Sequence, residues 1–415
     1  MSLRGVAAVV GVAELAPQRH TGSATTLELM SRVANDAIND AGFKRSEIDG
    51  LIVHPIGGLP GFVPATVAEY LGLAPRFAEL VDLGGATGAG MVWRAAAAIQ
   101  AGMCTSCLCL TGAHRRGPTD PDGKTGGNKR SGEKGRAAQQ GSERSAPRSL
   151  APSRDRSPQA EFDSPYGMLG ANVGYAMIAT RYTHDYGLRD AQRAKVAVEQ
   201  RRNANANPAA IFHAQTLTID DVLASEVIAS PLHMLEIVMP SAGAAALLVT
   251  AADRVPYARQ KPAWLLGAGE SVTHSSFAQA PALDATGVGI AARAAFRQAG
   301  VSPSEIGLAS LYDCYTIMVL LTLEEAGFCK RGEAGAFVES HDLTWAGDFP
   351  VNTHGGQLSF GQAGMAGGMS HVTEAVRQIQ GRGGNRQVPG LELAYAHGNG
   401  GIIAEQTGLV FGVAR

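Results

Sequence analysis

AINDAGFKRSEIDGLIVH, residues Ala37 to His54, returns later in the chain as AFRQAGVSPSEIGLASLY, residues Ala295 to Tyr312. At one constant offset both give Ala, then Ala-Gly, then Ser-Glu-Ile, then an apolar run. Each reads as a helix that stops on a glycine, because a residue without Cβ enters the left-handed conformation at the C-cap without steric cost. A short turn follows, then an unalternating apolar run that suits a strand covered on both faces.

A second pair lies downstream of each copy. ATGAGMVWRAAAAIQ, Ala86 to Gln100, matches AGGMSHVTEAVRQIQ, Ala366 to Gln380, at Ala86, Gly88, Ala95, Ile99 and Gln100. Both read as a Gly-rich turn that opens a helix. Two pairs in the same order predict a duplicated chain of β-α-β halves. The first half starts with a strand near Val6–Val12, the second with one near Ala263–Ala268. The pattern breaks at RVPYARQKPA, Arg254 to Ala263, so the halves are expected at 1–258 and 259–415. Strands alternating with helices predict an α/β fold with mostly parallel sheet.

Composition fits this picture. The chain has 415 residues, 45% hydrophobic and 17% charged, a balance that suits packed cores and not disorder. A net charge of −2 gives nucleic-acid binding no overall electrostatic support. No apolar run is long enough for a membrane span, and the N-terminal apolar stretch reads as a strand rather than a signal peptide. Five cysteines are too few for a disulfide scaffold and point to a reducing, cytoplasmic setting. Cys104-Thr-Ser-Cys107 lacks a second pair at zinc spacing and reads as core. One stretch departs from the pattern. From about 114 to 165 large apolar residues nearly vanish, and Arg115 to Arg156 hold eleven Lys/Arg against five Asp/Glu. It reads either as a flexible solvated insertion or as a basic flap for an anionic partner.

Three loops carry polar chemistry. LVDLGGATGAG, Leu80 to Gly90, is a strand, a Gly-rich turn and a helix, the layout of a nucleophile elbow with backbone N–H groups free for an oxyanion. Its apex offers no nucleophile. LYDCYTIM, Leu311 to Met318, sets Tyr312, Asp313, Cys314 and Tyr315 at a strand end. Cys314 is a nucleophile or acid/base if its thiol is activated, or an inert core thiol. NTHGGQLSFGQAGMAGG, Asn352 to Gly368, and the Gly-rich loop AHGNGG, Ala396 to Gly401, place His354 and His397 beside glycines, as general bases or as hydrogen-bonded structural histidines. No nicotinamide, flavin or metal motif is present.

These loops resemble those of the thiolase superfamily, on the branch of the sterol-carrier-protein-x thiolases and lipid-transfer-protein-like proteins. The resemblance covers the chain outside the insertion. It implies a thiolase-like duplicated five-layered α-β-α-β-α fold and a homodimer. In that branch the elbow reads Cys-Ala-Thr-Gly or Cys-Ser-Thr-Gly; here Gly85 stands in the cysteine position, before Ala86-Thr87-Gly88. The branch's His-Asp-Cys-Phe is here Tyr312-Asp313-Cys314-Tyr315. The His-Pro that ends the family's Gly-Gly-x-x-x-x-Gly-His-Pro is here Gln362-Ala363, and Gly398 matches the glycine that completes the acyl oxyanion hole.

The chain therefore resembles most the thiolase-like aldolases that lack the nucleophile, cleave 3-hydroxyacyl-CoA thioesters in steroid side chains, and work with a small zinc-ribbon/OB-fold partner. The resemblance implies retro-aldol cleavage of a coenzyme A thioester with no bound cofactor. Tyr312 would serve as acid/base or polarise the hydroxyl, and Cys314 or His354 would return a proton to the α-carbon. His397 is a further candidate base. Gly85, Gly398 and Gln362 would hold the thioester oxygen, with Asp313 beside them. Two other readings stay open: a degenerate thiolase or acyltransferase that uses Cys314, and a non-catalytic subunit that binds lipid or acyl-CoA.

Overall fold

The computed structural model describes residues 2–59, 61–117 and 157–415. Most of the basic insertion expected at 114–165 lies outside the described residues. Its flanks are tied to the rest of the chain by hydrogen bonds. The Arg115 carbonyl accepts from the Thr21 N–H. Buried Asp163 accepts from the Ser276 hydroxyl and from the N–H groups of Phe277 and Ala278 at 2.6, 3.1 and 2.9 Å. Residues 157–165 are thus exposed chain anchored at Asp163.

The first half runs β1 Ala7–Glu14, α1 Thr26–Ala41, β2 Gly50–Val53, α2 Val63–Leu71, β3 Phe77–Leu80, α3 Thr87–Gln100 and β4 Ser106–Ala113. It continues through α4 Ala171–Tyr186, α5 Asp190–Asn205, α6 Ile219–Ala224, β5 Val227–Ala229, β6 Leu232–His233 and β7 Gly243–Ala251. The second runs β8 Ala263–Val272, α7 Val288–Ala299, β9 Leu308–Ser310, α8 Thr316–Glu325, α9 Ala334–Ser340, α10 Gly356–Ser359, α11 Met365–Ile379, β10 Leu393–Gly400 and β11 Glu405–Gly412. The repeated segments behave alike: α1 ends on Gly42 and α7 on Gly300, both left-handed.

One nine-stranded sheet runs β3-β2-β4-β7-β1-β8-β11-β10-β9. From the β1–β8 junction outward, each side repeats the same order of counterparts. The counterpart of β3 on the far side is reduced to a single parallel bridge, Ala309 to Val351. The sheet is mixed, which corrects the expectation of a mostly parallel one. β7 and β11 enter antiparallel to their neighbours, and β10 and β11 form a hairpin, a connection only antiparallel strands allow.

Alternation along the strands sets the layers. Ala8 and Val10 of β1, with Leu108, Leu248 and Leu266, face the outer helices α1, α2, α7 and α8. Ala7 and Val9, with Cys107, Cys109, Leu247 and Leu265, face α3 and α11. The central helices α3 and α11 thus lie against strands from both halves of the one sheet, and the outer helices cover its opposite face. Cys104 and Cys107 are buried in this core.

The central helices cross backbone to backbone at their repeated glycines. A Cβ on Gly88 would meet the Met369 backbone, and one on Gly368 would collide with the Gly85 carbonyl. Gly368→Ala is therefore expected to cost about 1–3 kcal/mol, as overpacking does, and to lower the melting temperature measured by circular dichroism. An unchanged melting temperature would show that α11 moves aside freely.

Candidate active site

Three of the residues singled out in the sequence meet at one cavity. It holds about 420 Å³ and its lining includes Gly85, Tyr312 and Gln362, with His54, His114, Thr26 and Met365. Tyr312 lies at the end of β9 and Gly85 in the turn before α3. A Cβ built on Gly85 would fall on the Tyr312 hydroxyl and the Asn399 carbonyl oxygen. The tyrosine thus fills the volume that a side chain at the elbow would need. Burial pushes the Tyr312 phenol well above its usual range, reinforced by Cys314 and opposed in part by a contact from Gln357. At neutral pH it is a phenol and donates its proton in hydrogen bonds.

His54 stands at the position of the first repeat that aligns with Tyr312, and both face this cavity. Its nitrogens are used: Nδ1 lies 2.6 Å from the Pro55 carbonyl, and Nε2 accepts from the Gly112 N–H at 3.0 Å. His114 Nδ1 pairs with the Thr26 hydroxyl at 2.8 Å.

Asp313, Cys314, His354, His397 and Gly398 do not line this cavity. Asp313 accepts from the N–H groups of Gln357 and Leu358 at 2.8 and 3.1 Å and pairs with His371 Nε2 at 3.0 Å. Its oxygens are thus committed to holding the Tyr312–Tyr315 loop against α10 and α11. His354 Nε2 lies 3.3 Å from the Ser370 hydroxyl, and burial holds its imidazole well below its usual pKa, the nearby His371 adding to the effect.

The segment read as the Gly-rich loop AHGNGG is instead, from Ala396 to Gly400, the end of strand β10, paired there with β11. Gly398 and Gly400 serve close approach, while Gly401, with φ of 62°, makes the turn to β11. A Cβ on Gly398 would press on Ala86, and one on Gly400 would collide with the Leu83 carbonyl, so the elbow lies directly on this strand.

Cys314 keeps 9% exposure. Burial pushes its thiol up to about 12, although a hydrogen bond with Tyr175 opposes the shift. Behind it stands a chain that the sequence reading missed. Tyr175 comes from α4 and stacks on Tyr315 with ring centroids 4.2 Å apart. Asn399 Nδ2 donates to its hydroxyl at 2.8 Å, Gln406 Nε2 donates to Asn399 Oδ1 at 2.8 Å, and His397 Nε2 meets Gln406 Oε1 at 2.8 Å. Burial lowers His397 to about 3, so it is neutral. The only sequence signal for this chain was the stretch holding His397 and Asn399; Tyr175 and Gln406 gave none, and neither did His371.

The loop is fixed from below by a fully buried ion pair. Arg193 Nε donates to Glu236 Oε1 at 3.0 Å, and the Thr316 hydroxyl donates to the same oxygen at 2.9 Å. A second cleft, of about 460 Å³, lies on the side of Tyr315 and is lined by Arg201, Arg19, Phe212 and mostly apolar residues of 228–240. Arg201 is 5% exposed. Its guanidinium donates from Nε to the Ser359 hydroxyl at 3.0 Å and lies over the Phe212 ring. No carboxylate pairs with it among the described residues, and burial lowers its pKa. Among the described residues no group of three or more His, Cys, Asp or Glu side chains could hold a metal ion, and no helix is long and apolar enough to cross a membrane.

Comparison with known proteins finds relatives that span the whole chain. The family described as thiolase C-terminal domain-like matches residues 269–413. A steroid side-chain-cleaving aldolase of Thermomonospora curvata is 31% identical over 100% of this chain and 99% of its own length. A 17-hydroxy-3-oxo-4-pregnene-20-carboxyl-CoA lyase of Mycobacterium tuberculosis is 30% identical over 99% of this chain and 100% of its own. Among solved structures, the Ltp2-ChsH2(DUF35) aldolase superposes with a TM-score of 0.82 at 28% identity, covering 100% of this chain and 99% of that one.

Proposed function

The chain belongs to the thiolase superfamily, and on that premise we propose that it is a carbon–carbon lyase that cleaves a 3-hydroxyacyl-CoA thioester by a retro-aldol reaction, with a steroid side chain as the substrate to try first. The observation that carries this reading is the Tyr312 hydroxyl in the space of the missing elbow side chain. A thiolase needs a thiolate there; a retro-aldol cleavage forms no acyl-enzyme and needs donors around oxygen.

In this scheme the β-hydroxyl passes its proton to solvent in the cavity, the Cα–Cβ bond breaks, its electron pair stays on Cα as the thioester enolate, and solvent later returns one proton to the Cys314 sulfur. Tyr312 donates to the reacting oxygen at the β-carbon. The Gly85 turn at the N-terminus of α3 and the Gln362 amide hold the thioester oxygen, where developing negative charge is stabilised by fixed dipoles. Cys314, a protonated thiol at neutral pH, returns a proton to Cα. His354 is turned toward Ser370 and is the weaker donor for that step. Gly398 supports the elbow from β10.

A coenzyme A thioester suits the second cleft, since a buried guanidinium without a carboxylate favours an anionic group. Arg201→Gln is expected to raise KM for the thioester about tenfold, acting on KM rather than kcat; an unchanged KM would remove Arg201 from substrate binding. We also propose a homodimer, supported by the half-exposed, unpaired edge of β3. A zinc-ribbon/OB-fold partner is supported by the two-protein name of the structural neighbour. The cytoplasm is the proposed location, since the five cysteines are unpaired.

The test is incubation with a 3-hydroxyacyl-CoA that carries a tertiary β-hydroxyl, with and without the zinc-ribbon protein. Released ketone and shortened acyl-CoA are measured alongside the intact protein mass. Ketone release with no covalent adduct is expected. An acyl adduct on Cys314 would restore a thiolase mechanism, and neither product nor adduct with the partner present would leave only a binding role.

A further inference from the structure

The hydrogens of the buried chain behind Cys314 run in one direction. Gln406 turns its Nε2 to Asn399 Oδ1, so its Oε1 faces His397, and His397 Nε2 must carry the proton between them. Asn399 spends Oδ1 as an acceptor and offers Nδ2 to the Tyr175 oxygen. That oxygen is then an acceptor from Asn399, whose Nδ2 also reaches the Cys314 sulfur, and its own hydrogen is left for that sulfur, with which the Tyr175 side chain shares a hydrogen bond. The opposite sense would place a hydrogen on His397 Nδ1, which is buried and has no partner. An orphaned buried N–H is rarer and costlier than an orphaned lone pair. Stacking on Tyr315 holds the Tyr175 ring in place.

Resting on the cleavage reading above, we infer that Tyr175 is a positioning residue, oriented through Asn399, Gln406 and His397, that donates to the Cys314 sulfur and so aims the Cys314 S–H at the thioester α-carbon. With its sulfur accepting from Tyr175 and also from Asn399 Nδ2 at 3.9 Å, the thiol has one hydrogen to give and one direction to give it. The α-carbon takes that hydrogen as a proton, and the Tyr175 hydrogen bond stabilises the thiolate that remains. Cleavage releases one proton from the substrate hydroxyl, and its return to the sulfur restores the thiol, so no external acid is consumed. The α-hydrogen is delivered to one face only.

The full chain, with its partner protein where cleavage needs one, is tested in D₂O with the saturated acyl-CoA product. The readout is deuterium entering the α-position, by mass and by NMR of the two diastereotopic hydrogens. Wild type is expected to label one of the two. Tyr175→Phe is expected to slow labelling about 10–100-fold, as loss of a supporting hydrogen bond does, and to label both positions, with KM for the acyl-CoA near wild type. Gln406→Leu, two links further back, should show a smaller loss in the same direction and serves if Tyr175→Phe does not fold. Labelling at the wild-type rate and on one face in the variants would overturn the inference. Tyr175-dependent labelling without ketone release from the 3-hydroxyacyl-CoA would overturn the cleavage reading and leave the inference standing.

Discussion

Replacing Tyr312 with Phe is expected to slow ketone release about 10²–10⁴-fold, the range for losing one general acid–base group. The substitution takes away one oxygen and keeps the ring that packs over Gly85. The side-chain partner of that oxygen is the buried Gln357, so the substitution also removes that one contact, at a cost of about 1 kcal/mol. The melting temperature is expected to stay near wild type, and KM to change less than kcat. The pH profile supplies a second check. Burial raises the Tyr312 phenol and takes the Cys314 thiol to about 12. Both groups work protonated, so activity that depends on them persists on the acid side of those values and does not fall as pH rises from 7 to 10. A loss of activity centred between pH 8 and 9 would assign the step to another group, and full activity in Tyr312→Phe would remove Tyr312 from the chemistry.

The duplication was legible because it rests on constraints that leave marks in sequence. The paired glycines Gly88 and Gly368 are required wherever α3 and α11 touch, and the glycines that end α1 and α7 are required by their left-handed backbone. The mixed sheet was not legible, since strand direction depends on how β7 and β11 return, and a buried strand reads the same either way. The AHGNGG segment misled for a related reason. Glycines that admit a neighbouring backbone and glycines that make a turn are identical letters, and only the elbow lying on β10 separates them. Gly85 and Tyr312 were each singled out, but from separate loops. That one fills the space vacated by the other is a contact between distant segments, outside the reach of any local pattern. The Tyr175 chain draws on α4, which follows the basic stretch that broke the sequence pattern, so nothing connected it to Cys314.

The same contact yields the second large effect, at Gly85 itself. Gly85→Ala adds one methyl group, which meets both the Tyr312 hydroxyl and the Asn399 carbonyl oxygen. One neighbour is a side chain at the end of β9 and can shift; the other is the backbone of β10, held there by its pairing with β11, which resists. The variant is expected to lose about 1–3 kcal/mol of stability and to push the phenol off its reacting position, so cleavage should fall together with the melting temperature. Tyr312→Ala in the same background should cost less than it does alone, because it vacates half of the overlap; a coupling of about 0.5–3 kcal/mol is expected in a double-mutant cycle read by denaturant unfolding. Full rescue is not expected, since the Asn399 carbonyl remains. For the same reason Gly85→Cys, even combined with Tyr312→His to rebuild the thiolase side chains, is expected to form no acyl adduct on incubation with acyl-CoA. The elbow of this chain is closed by its backbone as well as by its tyrosine. An adduct on the new cysteine would show instead that two side chains alone separate this site from a thiolase.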